Sequence, residues 1–178
     1  MWMGLDEVEA LASVRLMEAG ATRLQAKPVA RSIRLAERDG VRSHGFIYLP
    51  IYAEHLACGK VDGKAEPKMS RPRAAAVVVD AAHGFAHPAI DLGFPTLVEA
   101  ARSSGIAAMT LRRSYNCGIL GHHAERLAEA GLIGLCFTHA PASIAPAGAK
   151  LPVIGTNPFA LAVPDDHGGA RFVLDQSA

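Results

Sequence analysis

The sequence predicts a mixed α/β fold, with a helical N-terminal portion over residues 1–73 and an α/β portion over residues 74–178. Three observations predict it. The first sixty residues hold three stretches of helical period, parted by glycines. From Ala74 onward, short apolar runs alternate with further helical stretches. The last two runs flank Asp165-Asp166-His167-Gly168-Gly169, a hairpin turn.

Residues 5–19 place Leu5, Val8, Leu11 or Ala12, Leu16 and Ala19 on one helical face, and Gly20 supplies a stop. A second helix runs from Thr22 to Asp39, with Pro28 limiting its first turn or delaying its start to about Lys27. Val29, Ile33 and Ala36 form its apolar stripe. A third spans Phe46–Ala57, with Pro50 in its first turn. Residues 59–73, rich in Lys, Gly, Pro and Asp, read as a loop. Ala74–Asp80, with three consecutive valines, reads as a strand. Gly84–Gly93 reads as a loop, Thr96–Ser104 as a helix, Ile106–Leu111 as a strand, Ile119–Ala130 as a helix and Leu132–Thr138 as a strand. Residues 140–158 form a long connection, which in a compact domain points to function. Phe159–Val163 and Arg171–Leu174 are the hairpin strands. The chain reaches Ala178 four residues after the last of them, and is expected to be cut in mid-domain.

Composition excludes several classes of function. Eighteen basic and seventeen acidic residues leave a net charge of +1, so no nucleic-acid partner is expected. No apolar run approaches the ~20 residues of a membrane span, and Asp6, Glu7 and Glu9 precede any basic residue, contrary to a signal peptide. Cys58, Cys117 and Cys136 lack CxxC spacing, so thiols and a cytoplasmic setting are expected. No metal site is expected. His122 and His123 are adjacent on a helix and diverge, while Gly84 interrupts the segment between His83 and His87.

Three short segments carry candidate chemistry. In Arg42-Ser43-His44-Gly45, a histidine can exchange protons near neutrality, Ser43 can hydrogen-bond it and Gly45 permits close approach. Taken alone, these four residues favour a solvated loop histidine. Residues 113–121, RSYNCGILG, join a strand to a helix whose N-terminus suits an anion, or simply form a tight turn. Neither a GxGxxG nor a P-loop pattern occurs. Gly155-Thr156-Asn157-Pro158 is a turn that can present a hydroxyl.

In order and spacing, DGVRSHGFIYLPIY, RSYNCGILGHHAERLAEAGLIGL, APASIAP, VIGTNPFALAVP and FVLDQSA resemble the malate/L-lactate dehydrogenase family of non-Rossmann oxidoreductases. The family also includes ureidoglycolate, sulfolactate and 2,3-diketogulonate oxidoreductases and piperideine/pyrroline-2-carboxylate reductases. The resemblance runs nearly the whole chain and corresponds to the family's N-terminal half. It implies a cofactor domain with a mostly antiparallel sheet and NAD(P)H-dependent hydride transfer at C2 of a small 2-oxo or cyclic 2-imino acid. It also implies a homodimer when full length. On the same ground His44 is the proton donor and acceptor, and Ser43 supports it. Asn116, Cys117, Gly118, Ile119 and Leu120 contact NAD or NADP, as do Asp175, Gln176 and Ser177, and Thr156 contacts substrate. Many members carry, four residues after this histidine, an arginine that binds the substrate carboxylate; here Tyr48 stands there, and Arg112 or Arg113 is expected to compensate. Many also carry histidine where this chain has Asn116. The 178-residue chain alone is expected to be inactive. The alternative is an inactive remnant that only associates with a full-length relative.

Overall fold

The computed structural model describes residues 3–177; Met1, Trp2 and Ala178 lie outside the described residues. The chain forms two compact units, Met1–Gly118 and Ile119–Ala178. This division differs from the boundary expected at residue 73/74. The physical reason is that the first sheet shares its unit with the N-terminal helices.

In the first unit, α1 (Leu5–Glu18) and α2 (Arg23–Arg38) bury Val8, Ala12 and Leu16 against Ala26, Val29, Ala30 and Ile33. The helical period thus selects Ala12 rather than Leu11 for the core. Pro28 lies inside α2, not near its start. A proline there removes one intrahelical hydrogen bond without ending the helix. Two 3₁₀ turns, Arg42–His44 and Phe46–Tyr48, lead into α3 (Leu49–Ala57), which adds Leu49, Tyr52 and Leu56 to the same core.

The segment expected to be loop contains β1 (Lys68–Arg73), whose six residues are all exposed. Its charges and Pro72 suit an edge strand, which needs no apolar face and therefore shows no hydrophobic signal. β1 pairs antiparallel with β2 (Ala76–Asp80), which pairs in parallel with β3 (Ala108–Arg112). Ala74 and Ala75 form the turn between β1 and β2. Arg71 clamps it, donating to the Ala74 carbonyl at 2.7 and 3.0 Å and to Glu99 at 3.0 Å.

α4 spans Ala86–Ser104 and so absorbs most of the expected 84–93 loop. Pro88 falls in its first turn, where a missing N–H breaks nothing. Gly93 lies close to Val79 and Met109, and Pro95 lies within the helix. The breakers in the sequence are thus positional features of one long helix. Val77, Val79 and Ala81 pack with Ala89 of this helix.

The second unit holds α5 (Leu120–Glu129) and an antiparallel sheet of β4 (Gly134–Phe137), β5 (Phe159–Pro164) and β6 (Ala170–Gln176). The 140–158 connection is not open loop throughout. Ile144 and Ile154 form a bridge, and Gly155 lies against the Ala140 carbonyl. The mixed α/β class and the bias toward antiparallel pairing follow the expectation, with one parallel pair, β2–β3, as the exception.

One buried polar side chain joins three segments of the first unit. Gln25 is fully buried; its Nε2 donates to the Ala65 carbonyl at 2.7 Å and its Oε1 accepts from the Phe85 N–H at 2.9 Å. Gly84 makes room for it, since a Cβ there would lie 2.9 Å from either amide atom. Gln25→Leu leaves a buried carbonyl and a buried N–H unpaired. The expected cost is about 2–4 kcal/mol, read as a lower urea midpoint with unchanged slope. A loss below about 0.5 kcal/mol would show that other partners replace both bonds.

Candidate functional site

The expected Ser-His-Gly segment is shaped by a residue with no signature in the sequence, Glu37 of α2. Its Oε1 accepts the Phe46 N–H at 2.6 Å. A Cβ on Gly45 would come within 2.1 Å of that oxygen, so glycine after His44 is the condition for this bond. The two 3₁₀ turns are thereby held on the end of α2. Ser43 Oγ lies 3.0 Å from His44 Nδ1, which leaves Nε2 as the outward nitrogen.

A row of aromatic rings continues from His44. The Tyr48 ring is nearly parallel to the imidazole, with centroids 6.4 Å apart. Tyr52 meets Tyr48 edge-on at 4.8 Å, and Phe85 and Tyr115 meet Tyr52 edge-on at 5.4 and 6.2 Å. Such edge-to-face contacts add to the burial energy of each ring and define its orientation. Burial, with Tyr48, Tyr115 and Cys117 adding to it, pushes the Tyr52 hydroxyl far above its ordinary pKa, so it acts as a donor. It donates to Asn116 Oδ1 at 3.0 Å, and the same oxygen accepts the Gly118 N–H at 2.6 Å. With its oxygen so engaged, Asn116 has its amide NH₂ to offer a ligand. Gly118 has φ +69°, and a Cβ there would lie 2.6 Å from Ser32 Oγ.

The structure therefore links Ser43, His44, Tyr48, Asn116 and Gly118 through Tyr52, and places the half-buried Cys117 among them. The three cysteines are thiols. Tyr52 and His55 follow Tyr48 by four and seven residues, one helical face, so the sequence held a signal for them. Glu37, Gln25 and Phe85 carry none, because their roles arise from tertiary contacts.

Arg112 and Arg113, expected to compensate for the absent arginine, are both held by Asp80. Arg113 grips it with two bonds at 2.7 and 2.9 Å, Arg112 lies at 3.0 Å, and the Ala82 N–H donates at 2.9 Å. Ala82, His83 and Arg113 all have positive φ, and the His83 N–H bonds the Arg113 carbonyl at 2.7 Å. The cluster thus maintains a strained double turn at the ends of β2 and β3.

In the second unit, Asp175 accepts the Gly121 N–H at 2.7 Å, tying the end of β6 to the first turn of α5. Gln176 and Ser177 follow it, exposed. Leu120 is buried, and Ile119 is the extended N-cap of α5. Thr156 is half-buried in a turn where Asn157, at φ +37°, accepts the Ala140 N–H. Among the described residues no group of three or more His, Cys, Asp or Glu is placed to hold a metal, and no helix is long and apolar enough to cross a membrane.

The sequence pattern of the malate/L-lactate dehydrogenase family matches residues 3–178, and the chain belongs to that family. It is 40% identical over 175 residues to a (2R)-3-sulfolactate dehydrogenase (NADP(+)) of Chromohalobacter salexigens, covering 98% of this chain and 52% of that protein. To a Δ1-pyrroline-2-carboxylate reductase of Ancylobacter novellus it is 39% identical over 173 residues, covering 97% and 50%. The crystal structure of Δ1-piperideine-2-carboxylate reductase from Pseudomonas syringae pathovar tomato superposes with a TM-score of 0.93 at 34% identity, over 99% of this chain and 53% of that one. The chain spans about half the length of the curated relatives it matches.

The Asp80 cluster makes stability depend on acid. Hydrogen bonds from Arg113 first, then from the Ala82 N–H, hold the Asp80 carboxyl well below the usual carboxylate range. A depressed folded-state pKa stabilises the fold above the unfolded value, near 3.8, and that contribution fades as pH falls through it toward the folded value. Urea midpoints should therefore drop between pH 5 and pH 2, and Asp80→Asn should flatten part of that drop. Parallel pH curves for the two proteins would remove Asp80 from the account.

Proposed function

We propose that this chain carries the proton-transfer half of an NAD(P)H-dependent oxidoreductase acting at C2 of a small 2-oxo/2-hydroxy or cyclic 2-imino carboxylic acid. The observation that carries the reading is the Ser43–His44 pair, with Nδ1 engaged by Ser43 and Nε2 left to face a substrate. The relatives named for sulfolactate and for pyrroline-2-carboxylate support the substrate class, and the name of the first supports NADP as a cofactor.

In reduction, protonated His44 gives its Nε2 proton to the oxygen or nitrogen on C2 as negative charge develops there. In oxidation the neutral ring takes the proton back. The same ring nitrogen thus serves both directions. Ser43 fixes the ring so that Nε2 carries the reactive proton. Tyr48 and Thr156 bind substrate, with Tyr48 offering a neutral hydroxyl where an arginine would offer two charged bonds. The nicotinamide cofactor, when bound, supplies or accepts the hydride at C2. In this reading Asn116, Cys117, Gly118, Ile119, Leu120, Asp175, Gln176 and Ser177 would be the residues that contact it. The active protein is a cytoplasmic homodimer in this reading, taking neither nucleic acid nor membrane as partner.

The test is oxidation of NADH or NADPH against a panel of 2-oxo and cyclic 2-imino acids. His44→Ala should lower turnover by ~10²–10⁴, the worth of a positioned proton donor. Cofactor affinity, read by fluorescence titration, should stay unchanged. Near-normal turnover in that variant would remove His44 from the mechanism.

A further inference from the structure

His55, in the last turn of α3, takes no part in the mechanism above, yet it reaches the segment that follows β3. Its Nδ1 hydrogen-bonds the Tyr115 hydroxyl, and the two rings meet edge-on with centroids 5.5 Å apart. Either tautomer of the imidazole makes this bond, because a hydroxyl both donates and accepts. One turn earlier, Tyr52 donates to Asn116 Oδ1 at 3.0 Å. The same face of the helix therefore grips two successive residues, Tyr115 and Asn116.

The far side of the segment is fixed as well. The Tyr115 N–H donates to the Gly84 carbonyl at 2.8 Å, and Tyr115 and Phe85 form a parallel bridge. The two rings also meet edge-on, at 5.5 Å. Ring packing alone lets a side chain slide by a fraction of an ångström; the bond to His55 fixes where the hydroxyl end lies. Asn116 is next in the chain, and its Oδ1 also accepts the Gly118 N–H at 2.6 Å. A displaced Tyr115 thus moves the main chain as far as Gly118. At the other end of α3, its N-cap Tyr48 lies nearly parallel to the His44 ring. One helix of nine residues thereby spans from the Ser43–His44 pair to the candidate cofactor segment.

We propose that His55 is a positioning residue: by holding Tyr115 it sets the main chain of Asn116–Gly118 against the nicotinamide cofactor, at a spacing from His44 fixed by α3. The inference rests on the reading of this chain as an NAD(P)H-dependent oxidoreductase whose residues Asn116–Gly118 contact that cofactor. His55 acts only through Tyr115. Such spacing matters because hydride must arrive at C2 while the proton arrives at the atom bonded to it, and small misplacements are costly in rate.

The test cuts the bond from either side. His55→Phe and Tyr115→Phe each keep a ring and remove the bond, while His55→Asn keeps an amide near the place of Nδ1. In ¹⁵N-labelled protein, the Asn116 side-chain amide and the Gly118 main-chain amide should shift in both phenylalanine variants and return toward their parent positions in His55→Asn. In the active enzyme, fluorescence titration should show NADH or NADPH bound ~3–10-fold more weakly in either phenylalanine variant, the worth of one lost hydrogen bond. The double variant should bind no more weakly than the single ones, since both remove the same contact. KM for the 2-oxo or 2-imino acid should stay within about 2-fold of the parent value, because its own contacts are untouched. Unmoved amide signals, parent-strength cofactor binding in both phenylalanine variants, or additive weakening in the double variant would each overturn the proposal. A parent enzyme that binds neither cofactor would refute the underlying reading instead, and the amide shifts would still decide whether His55 holds the segment.

Discussion

The row of rings beside His44 depends on the burial of a single amide. Gln25 lies in α2, yet both ends of its side chain are used to hold main chain from elsewhere, at Ala65 and Phe85. Phe85 in turn forms a bridge with Tyr115, and both rings meet Tyr52. Tyr52 orients Tyr48 and anchors Asn116. An unpaired buried amide costs far more than its bonds gain, so this arrangement is close to all-or-none. Such a constraint suits a site where one misplaced ring would displace the histidine beside it.

Glycine and a polar side chain recur as a pair in both units. Gly84 admits Gln25, and Gly45 admits Glu37. Gly121 admits Asp175 in the second unit, where a Cβ would lie 3.0 Å from the carboxylate. In each case a side chain from one element takes a main-chain N–H of another, at Phe85, at Phe46 and at Gly121. These bonds place loop segments without needing regular secondary structure. The loop segments are thus pinned to the elements beside them.

Legibility followed the physics of each element. Helices with a continuous apolar stripe, such as α2 with Val29, Ile33 and Ala36, were readable because burial repeats with the helical period. β1 was not, since an exposed edge strand of Lys, Arg and Pro has no apolar face to announce it. The start of α4 was hidden by Gly84, Pro88, Gly93 and Pro95, whose breaker meaning holds only at particular helix positions. Ser43, His44 and Tyr48 could be named from their order in the chain, and the aromatic row was half visible in the 48, 52, 55 spacing. Glu37 and Asp80 could not, because an acidic residue gains its role from the N–H or guanidinium that tertiary folding brings to it.

In the proposed reaction His44 Nε2 faces the oxygen on C2 of a 2-oxo or 2-hydroxy acid while Ser43 keeps Nδ1. A crystal structure of the active enzyme with cofactor and a 2-hydroxy acid tests it most directly. Nε2 should lie within about 2.6–3.2 Å of the C2 oxygen, with the Ser43–Nδ1 contact of 3.0 Å kept. A C2 oxygen held by another side chain, with the imidazole turned to solvent, would contradict it.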